Sequence, residues 1–248
     1  MKLFAIGDLH LSEAEEKPMG VFGEEWQDHD RKIVENWRRL VRDEDIVFVV
    51  GDISWAMRLE EARADLEIIS ALPGKKVVLR GNHDYWWGAI SKVRQALGEG
   101  MWAIQNDCVA FEGIVLAGSR GWMIPHEESA EEDWTIYRRE VERLKLSLEA
   151  AKRAGLVGRR LVVGLHYPPM VRREEPTGFT ELLESYGAEV CVYGHLHGEA
   201  HGDAVVGEVR GVSYRMVSCD AVGFTPALIA APQARDDRPP EPTDAVLD

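Results

Sequence analysis

The sequence is short of cysteine. Cys108, Cys191 and Cys219 are the only three, they stand far apart, and no two share a Cys-x-x-Cys spacing. This argues against a disulfide framework and a thiolate zinc site; it fits three small side chains buried in a reducing compartment. Long apolar runs are missing too: no stretch approaches the roughly 18 residues that span a bilayer. The N-terminal segment MKLFAIGDLH has one Lys and breaks off at Gly7 and Asp8. It is too short for a signal-peptide core and lacks a cleavage-like tail, so the expected location is cytoplasmic. Basic charge is in deficit, with 29 Lys and Arg against 43 Asp and Glu, a net charge of −14. Such an excess repels polyanions, so neither an extended nucleic-acid footprint nor an anionic membrane surface is an expected partner. A small phosphate-bearing substrate stays open, because a bound cation reverses the sign locally.

What is present is ordinary in amount and informative in order. At 248 residues, 45% hydrophobic and 29% charged, the chain suits one sizeable globular domain. Nothing in these totals fixes an oligomeric state. Short Val- and Ile-rich runs recur: KLFAI, DIVFVV, KKVVL, GIVLAGS, RLVVGL, EVCVY, YRMVS and ALIAA. They read as strands buried on both faces. Helical stripes fall between them, through Ile33, Val34, Trp37, Leu40 and Val41, and through Leu59, Ala62, Leu66 and Ile69. A longer helix is expected over Asp133–Arg153, with Trp134, Tyr137, Val141, Leu144 and Leu148 on its apolar face. Early strands alternate with helices and later strands follow one another directly, so a layered α/β domain with mixed sheets is expected over residues 1–231. Residues 232–248 are Pro-rich, charged and aperiodic, and read as a frayed tail.

The polar residues gather where the strands end. LFAI is followed by Asp8 and His10, IVFVV by Gly51-Asp52, and KVVLR by Gly81-Asn82-His83-Asp84. LVVGL is followed by His166, and VCVY by Gly194-His195-Leu196-His197. Each of these alone is ordinarily a turn or a satisfied core histidine. Five in one chain can converge at the carboxyl edge of an open sheet, where ligands bind. An imidazole, carboxylate and amide set without thiolate accepts manganese, iron, zinc, cobalt or nickel.

Asp8-x-His10, Gly51-Asp52, Gly81-Asn82-His83-Asp84, His166 and Gly194-His195-x-His197 resemble the ordered motifs of the calcineurin-like metallophosphoesterases, over a span from residue 1 to near 220. The resemblance implies a four-layer α/β/β/α sandwich, two mixed β-sheets flanked by helices. It also implies a phosphoesterase with a dinuclear metal centre, most naturally manganese or iron. Asp8, His10, Asp52 and His197 would hold one ion, and Asp52, Asn82, His166 and His195 the other, with Asp52 shared. The substrate would be a phosphomonoester or phosphodiester of small or medium size, attacked by a hydroxide bridging the metals. His83 would be the catalytic histidine, oriented by Asp84.

The pattern departs from the protein serine/threonine phosphatases of the superfamily, whose GDxVDRG signature is here GDISWAMR. Trp55 and Ala56 take the Asp-Arg places and Arg58 comes two residues late, so the resemblance is closer to the smaller bacterial-type branch. Substrate choice is expected from the loop Gly118–Thr135, through Arg120, Trp122 and His126, with a second flap in Glu16–Trp26. Trp86 and Trp87 would either plug the core or stack on a base, and His29, His126 and His201 are left without a ligand role. The alternatives are a nuclease or nucleotide pyrophosphatase of the same superfamily, against which the lack of a basic track counts, and a non-catalytic metal-binding scaffold.

Overall fold

A computed structural model describes residues 1–13 and 19–231. Its strands are β1 (Leu3–Ile6), β2 (Ile46–Val49), β3 (Lys75–Val78), β4 (Met101–Ala103), β5 (Cys108–Phe111), β6 (Ile114–Ser119), β7 (Arg160–Leu165), β8 (Val190–Tyr193), β9 (Gly207–Val209), β10 (Val212–Met216) and β11 (Ala227–Ala230). The α-helices are α1 (His29–Leu40), α2 (Leu59–Ser70), α3 (Ile90–Ala96), α4 (Glu131–Ala154) and α5 (Gly178–Ser185).

Period-two alternation explains how the layers form. In β1, Leu3 and Ala5 face the centre of the molecule, while Phe4 and Ile6 face outward, and all four are buried. The outward set packs with Ile33 and Trp37 of α1, Ala62 and Leu66 of α2, and Val93 of α3. Leu3, Ala5, Phe48 and Val77 meet Leu116, Val162, Val190 and Val192 of a second sheet. The outer face of that sheet, including Val163 and Cys191, lies on Leu144 and Leu148 of α4 and Phe179 of α5. Three apolar seams between four layers make the α/β/β/α sandwich that the motifs imply.

One sheet runs β11-β1-β2-β3-β4, the other β5-β6-β7-β8-β10-β9. Strands β1 to β4 are mutually parallel, as are β6, β7, β8 and β10, and antiparallel β11, β5 and β9 make both sheets mixed. The parallel strands therefore deliver their carboxyl ends to one edge. Past the strand ends Gly7 bridges to Ser218, with Gly7 N–H donating to the Val217 carbonyl at 2.7 Å, and this ties the two sheets together.

The long helix spans Glu131–Ala154, slightly beyond the expected Asp133–Arg153. Glu131, Glu132 and Asp133 occupy its first turn and Lys152 and Arg153 its last, matching its dipole, and Gly155 ends it at φ 89°. Three edge strands, β4, β5 and β9, escape the apolar-run criterion because they are short or their side chains are only partly buried. The short helices α3 and α5 escape it for want of length. The 232–248 tail and residues 16–18 of the expected flap lie outside the described residues.

Candidate metal centre

The edge loops hold their polar side chains by unusual backbone. Asp8 (φ 59°), His10 (φ 46°), Asp52 (φ 51°) and His195 (φ 74°) all adopt the left-handed region. Asp and His tolerate it better than most residues, yet each such residue costs on the order of 1–3 kcal/mol. The surrounding pairing imposes it: Asp8 N–H donates to the Gly51 carbonyl at 2.9 Å, and His10 N–H to the Asp52 carbonyl at 3.0 Å. Glycine makes room beside the carboxylates. A Cβ on Gly81 would lie 2.0 Å from Asp52 Oδ1, and one on Gly194 would lie 2.3 Å from Asp8 Oδ2.

The seven side chains expected from five segments come together here. Asp8, His10 and His197 offer donor atoms within 4.8 Å of one another, and so do Asp8, Asp52 and His166. Asp52 Oδ2 lies 3.8 Å from His10 Nε2 and 3.5 Å from His166 Nε2, so it faces both sets. His166 Nδ1 lies 3.2 Å from the Val50 carbonyl, to which it donates; its Nε2 then carries a lone pair. That lone pair faces Asn82 Oδ1 at 2.6 Å and His195 Nδ1 at 3.3 Å. His197 Nδ1 donates to Asp220 Oδ1 at 3.0 Å, which leaves Nε2 facing Asp8 Oδ1 at 3.7 Å. The His166 Nε2 lone pair, Asp52 Oδ2 and Asn82 Oδ1 are acceptors that repel one another, and a cation between them removes the conflict. The residues present fit divalent cations with mixed oxygen and nitrogen ligands.

Ionisation follows the same logic. Burial pushes Asp8 up to about 8, against the pull of His197, and Asp52 up to about 6, against the His83 N–H. Burial holds His10 well below its usual range, and His166 and His195 down to about 3, with neighbouring imidazoles adding to the effect. His197 goes the other way: burial would lower it, but Asp220 and Asp8 outweigh burial and raise it.

His83 donates its backbone N–H to Asp52 Oδ1 at 2.8 Å, and its ring sits half-buried beside Trp55 (4.6 Å between centroids) and His10 (5.8 Å). The expectation that Asp84 orients this ring needs correction. The Asp84 carboxylate accepts from Gly81 N, Ile53 N, Ser54 N and Trp86 Nε1 at 2.7–3.2 Å, and none of these donors is His83. It staples the two loops that carry Asp52 and Asn82. Trp86 and Trp87 are buried in the outer core, which settles them as packing residues.

The substrate-loop expectations divide. Arg120 stacks over Trp122 (4.7 Å), Trp122 packs on Tyr167 (5.3 Å), and Tyr167 packs on His195 (4.0 Å), so these residues border the centre. His126 does not: it is exposed, and its contacts are with Ser129 and Glu128 of its own turn. Its position in a polar loop signalled nothing about direction. Two supporting residues escaped the sequence reading. Asp220 clamps His197, and its other oxygen lies 3.0 Å from His201 Nε2 without hydrogen-bond alignment. It follows the YRMVS strand end, so the strand-end rule could have found it. His29 Nε2 reaches the Leu9 and His10 carbonyls at 3.1 and 3.2 Å from the start of a helix, with no motif to mark it. Trp26, the last residue of the expected flap, is buried against His197 (5.4 Å) and His10 (6.1 Å).

The fold agrees with known proteins. An uncharacterized protein of Methanocaldococcus jannaschii is 30% identical over 88 residues, 34% of this chain and 47% of that protein. The Gene 66 protein of Mycobacterium phage L5 is 31% identical over 77 residues, 31% of this chain and 37% of that one. The chain thus spans less than half the length of these curated relatives. Among solved structures, phosphopantetheinyl hydrolase of Mycobacterium tuberculosis has a TM-score of 0.53 at 16% identity, covering 94% of this chain and 97% of its own. A Thermus thermophilus protein has a TM-score of 0.53 at 14% identity, covering 84% and 89%. These two establish a shared fold. The model of the calcineurin-like phosphoesterase family matches residues 1–199, a span that contains every strand end carrying the cluster, and the chain belongs to that family.

Proposed function

We propose that the protein hydrolyses a phosphomonoester or phosphodiester of small or medium size at two divalent cations held by Asp8, His10, Asp52, Asn82, His166, His195 and His197. The observation that carries this reading is Asp52 Oδ2, set between His10 Nε2 at 3.8 Å and His166 Nε2 at 3.5 Å. When bound, such a pair supplies positive charge against the phosphoryl oxygens and lowers the pKa of water.

The chain's own residues do the rest. The low proton affinity of His10, His166 and His195 keeps these imidazoles neutral near neutral pH, with lone pairs free. Only Asp8 and Asp52 bring negative charge to the ligand set, so two divalent ions leave it net positive and attractive to an anion. The Asp52 side chain is also held by the His83 N–H, and this links the ligand to the histidine beside it. The half-buried His83 ring meets the leaving group's oxygen as alkoxide charge builds, supplying a proton or a positive dipole there. Trp55, stacked on His10 at 4.8 Å and packed on His83 at 4.6 Å, fixes the orientation of both rings.

The test is elemental analysis of manganese-reconstituted protein, with hydrolysis of p-nitrophenyl phosphate and its bis-ester. About two metals per chain and chelator-sensitive turnover are expected, with both lost in Asp52→Asn. Turnover that survives Asp52→Asn, or failure to bind metal after reconstitution, overturns the reading.

A further inference from the structure

Beside the metal centre lies a cavity of about 210 Å³ lined by Arg80, Arg120, Arg143, Glu140, Gln105 and Asn106, among others. It is smaller than the roughly 300 Å³ of a typical ligand pocket, a size suited to one small polar group. Two lining residues tie it to the centre. Arg80 directly precedes Gly81-Asn82, and the Arg120 carbonyl accepts from His166 N and Tyr167 N, both at 3.0 Å.

Positive charge in this cavity outnumbers its partners. Glu140 is buried, and its Oε1 takes both Arg120 Nη2 at 3.3 Å and Arg143 Nη1 at 2.8 Å. Arg80 makes no hydrogen bond or ion pair among the described residues, and the Nε atoms of Arg80 and Arg120 are buried without partners. Three guanidiniums face one carboxylate, leaving two positive charges over in a chain whose net charge is −14. The three arginines are half-buried, the buried Nε donors of Arg80 and Arg120 lack an acceptor, and a planar fork of donors matches phosphate oxygens.

We propose that the cavity lined by Arg80, Arg120 and Arg143 is a second anion subsite, which holds a phosphate group of the substrate other than the one hydrolysed. The natural substrate then carries at least two phosphates. The subsite's anion binding stands on the arginines alone; its place in catalysis rests on the phosphoesterase reading above.

Two measurements separate these. Inorganic phosphate is titrated calorimetrically into the metal-free full-length protein. Saturable binding is expected, weakened about tenfold or more by Arg80→Gln and Arg120→Gln, less by rim-exposed Arg143→Gln, and partly restored in Arg80→Lys. Asp52→Asn should bind phosphate as the wild type does, even where it no longer turns over. With manganese-loaded protein, alkane bisphosphates of increasing length are compared with the matching alkyl monophosphates. At least one length should show a KM about tenfold lower than its monophosphate, an advantage that Arg80→Gln removes with kcat little changed. Phosphate binding unaltered by both glutamine variants, in proteins of unchanged unfolding temperature, overturns the subsite. Loss of activity in Asp52→Asn with no bisphosphate advantage at any length overturns its role in substrate choice while leaving the phosphoesterase reading intact.

Discussion

Two polar regions lie side by side at the carboxyl edge, and they are built from opposite chemistry. In the metal centre, acceptors crowd together: Asp52 Oδ2, Asn82 Oδ1 and the bare Nε2 of His166 face one another within 3.5 Å of that imidazole. In the arginine cavity, donors crowd together around the single oxygen Glu140 Oε1. Asp84, a third case, is as buried as Asp8 but is surrounded by four N–H donors. A buried charge that serves the fold is saturated by the fold. One left facing its own kind is completed by a ligand, a cation in the first region and an anion in the second.

The sharpest way to probe this contrast is the residue that borders the acceptor cluster without belonging to it. His83→Ala should lower kcat by about 10²–10⁴-fold, most with poor leaving groups, while metal content stays at the wild-type value. Loss of metal would instead place His83 among the ligands, and near-normal rates on an alkyl phosphate would remove it from the chemistry. A smaller effect is expected from Asp220→Asn, which keeps the shape but weakens the hold on His197. Metal affinity should fall about 10–100-fold, read by competition with a chromogenic chelator.

The acceptor cluster also predicts how the metal-free protein responds to pH. Asp8 is raised from 3.8 to about 8, so the stability it lends is full below about pH 4 and is lost as pH rises through 8. The depressed histidines act oppositely, lending stability above 6.5 that is lost as pH falls towards 3. Between pH 6.5 and 8 Asp8 therefore sets the direction, with Asp84, raised to about 7, and His197, raised above its usual range, acting the same way, and the metal-free protein should lose on the order of 1.4 kcal/mol or more per pH unit. That is a fall of roughly 2–4 °C per kcal/mol in Tm, which saturating manganese should remove or reverse. A flat profile without metal would mean that the carboxylate conflict is relieved in another way. The smallest effect is expected outside both regions: His126→Ala should leave phosphate binding and turnover unchanged and alter stability by no more than about 0.5 kcal/mol.

Most of the frame was legible because it is written in short-range patterns. Val- and Ile-rich runs marked eight strands, and three-and-four spacing marked α1, α2 and α4, since buried elements must repeat their apolar residues at the period of their backbone. Edge strands β4, β5 and β9 carry no such pattern because they are short or one side meets solvent. The ligand-type residues were legible through position, each just past a strand. Where the sequence reading failed, a side chain's direction was at issue. Asp84 follows His83 directly, yet its carboxylate turns towards the 53–54 backbone. Arg80 sits in the same run as Asn82 and drew no notice, because an arginine at the end of a strand is usually solvated.

By itself, the amino-acid order determined which chemical groups stand at the strand ends, how the layers alternate, and the family those motifs resemble, since all of these depend on spacing along the chain. Only the tertiary structure decided which buried charges are satisfied and which are not. That property depends on neighbours contributed from distant segments: Asp220 beside His197, Glu140 between Arg120 and Arg143, and the Ile53 and Ser54 amides against Asp84. Hydrogen-bond saturation is a sum over three-dimensional neighbours, and no local pattern encodes it.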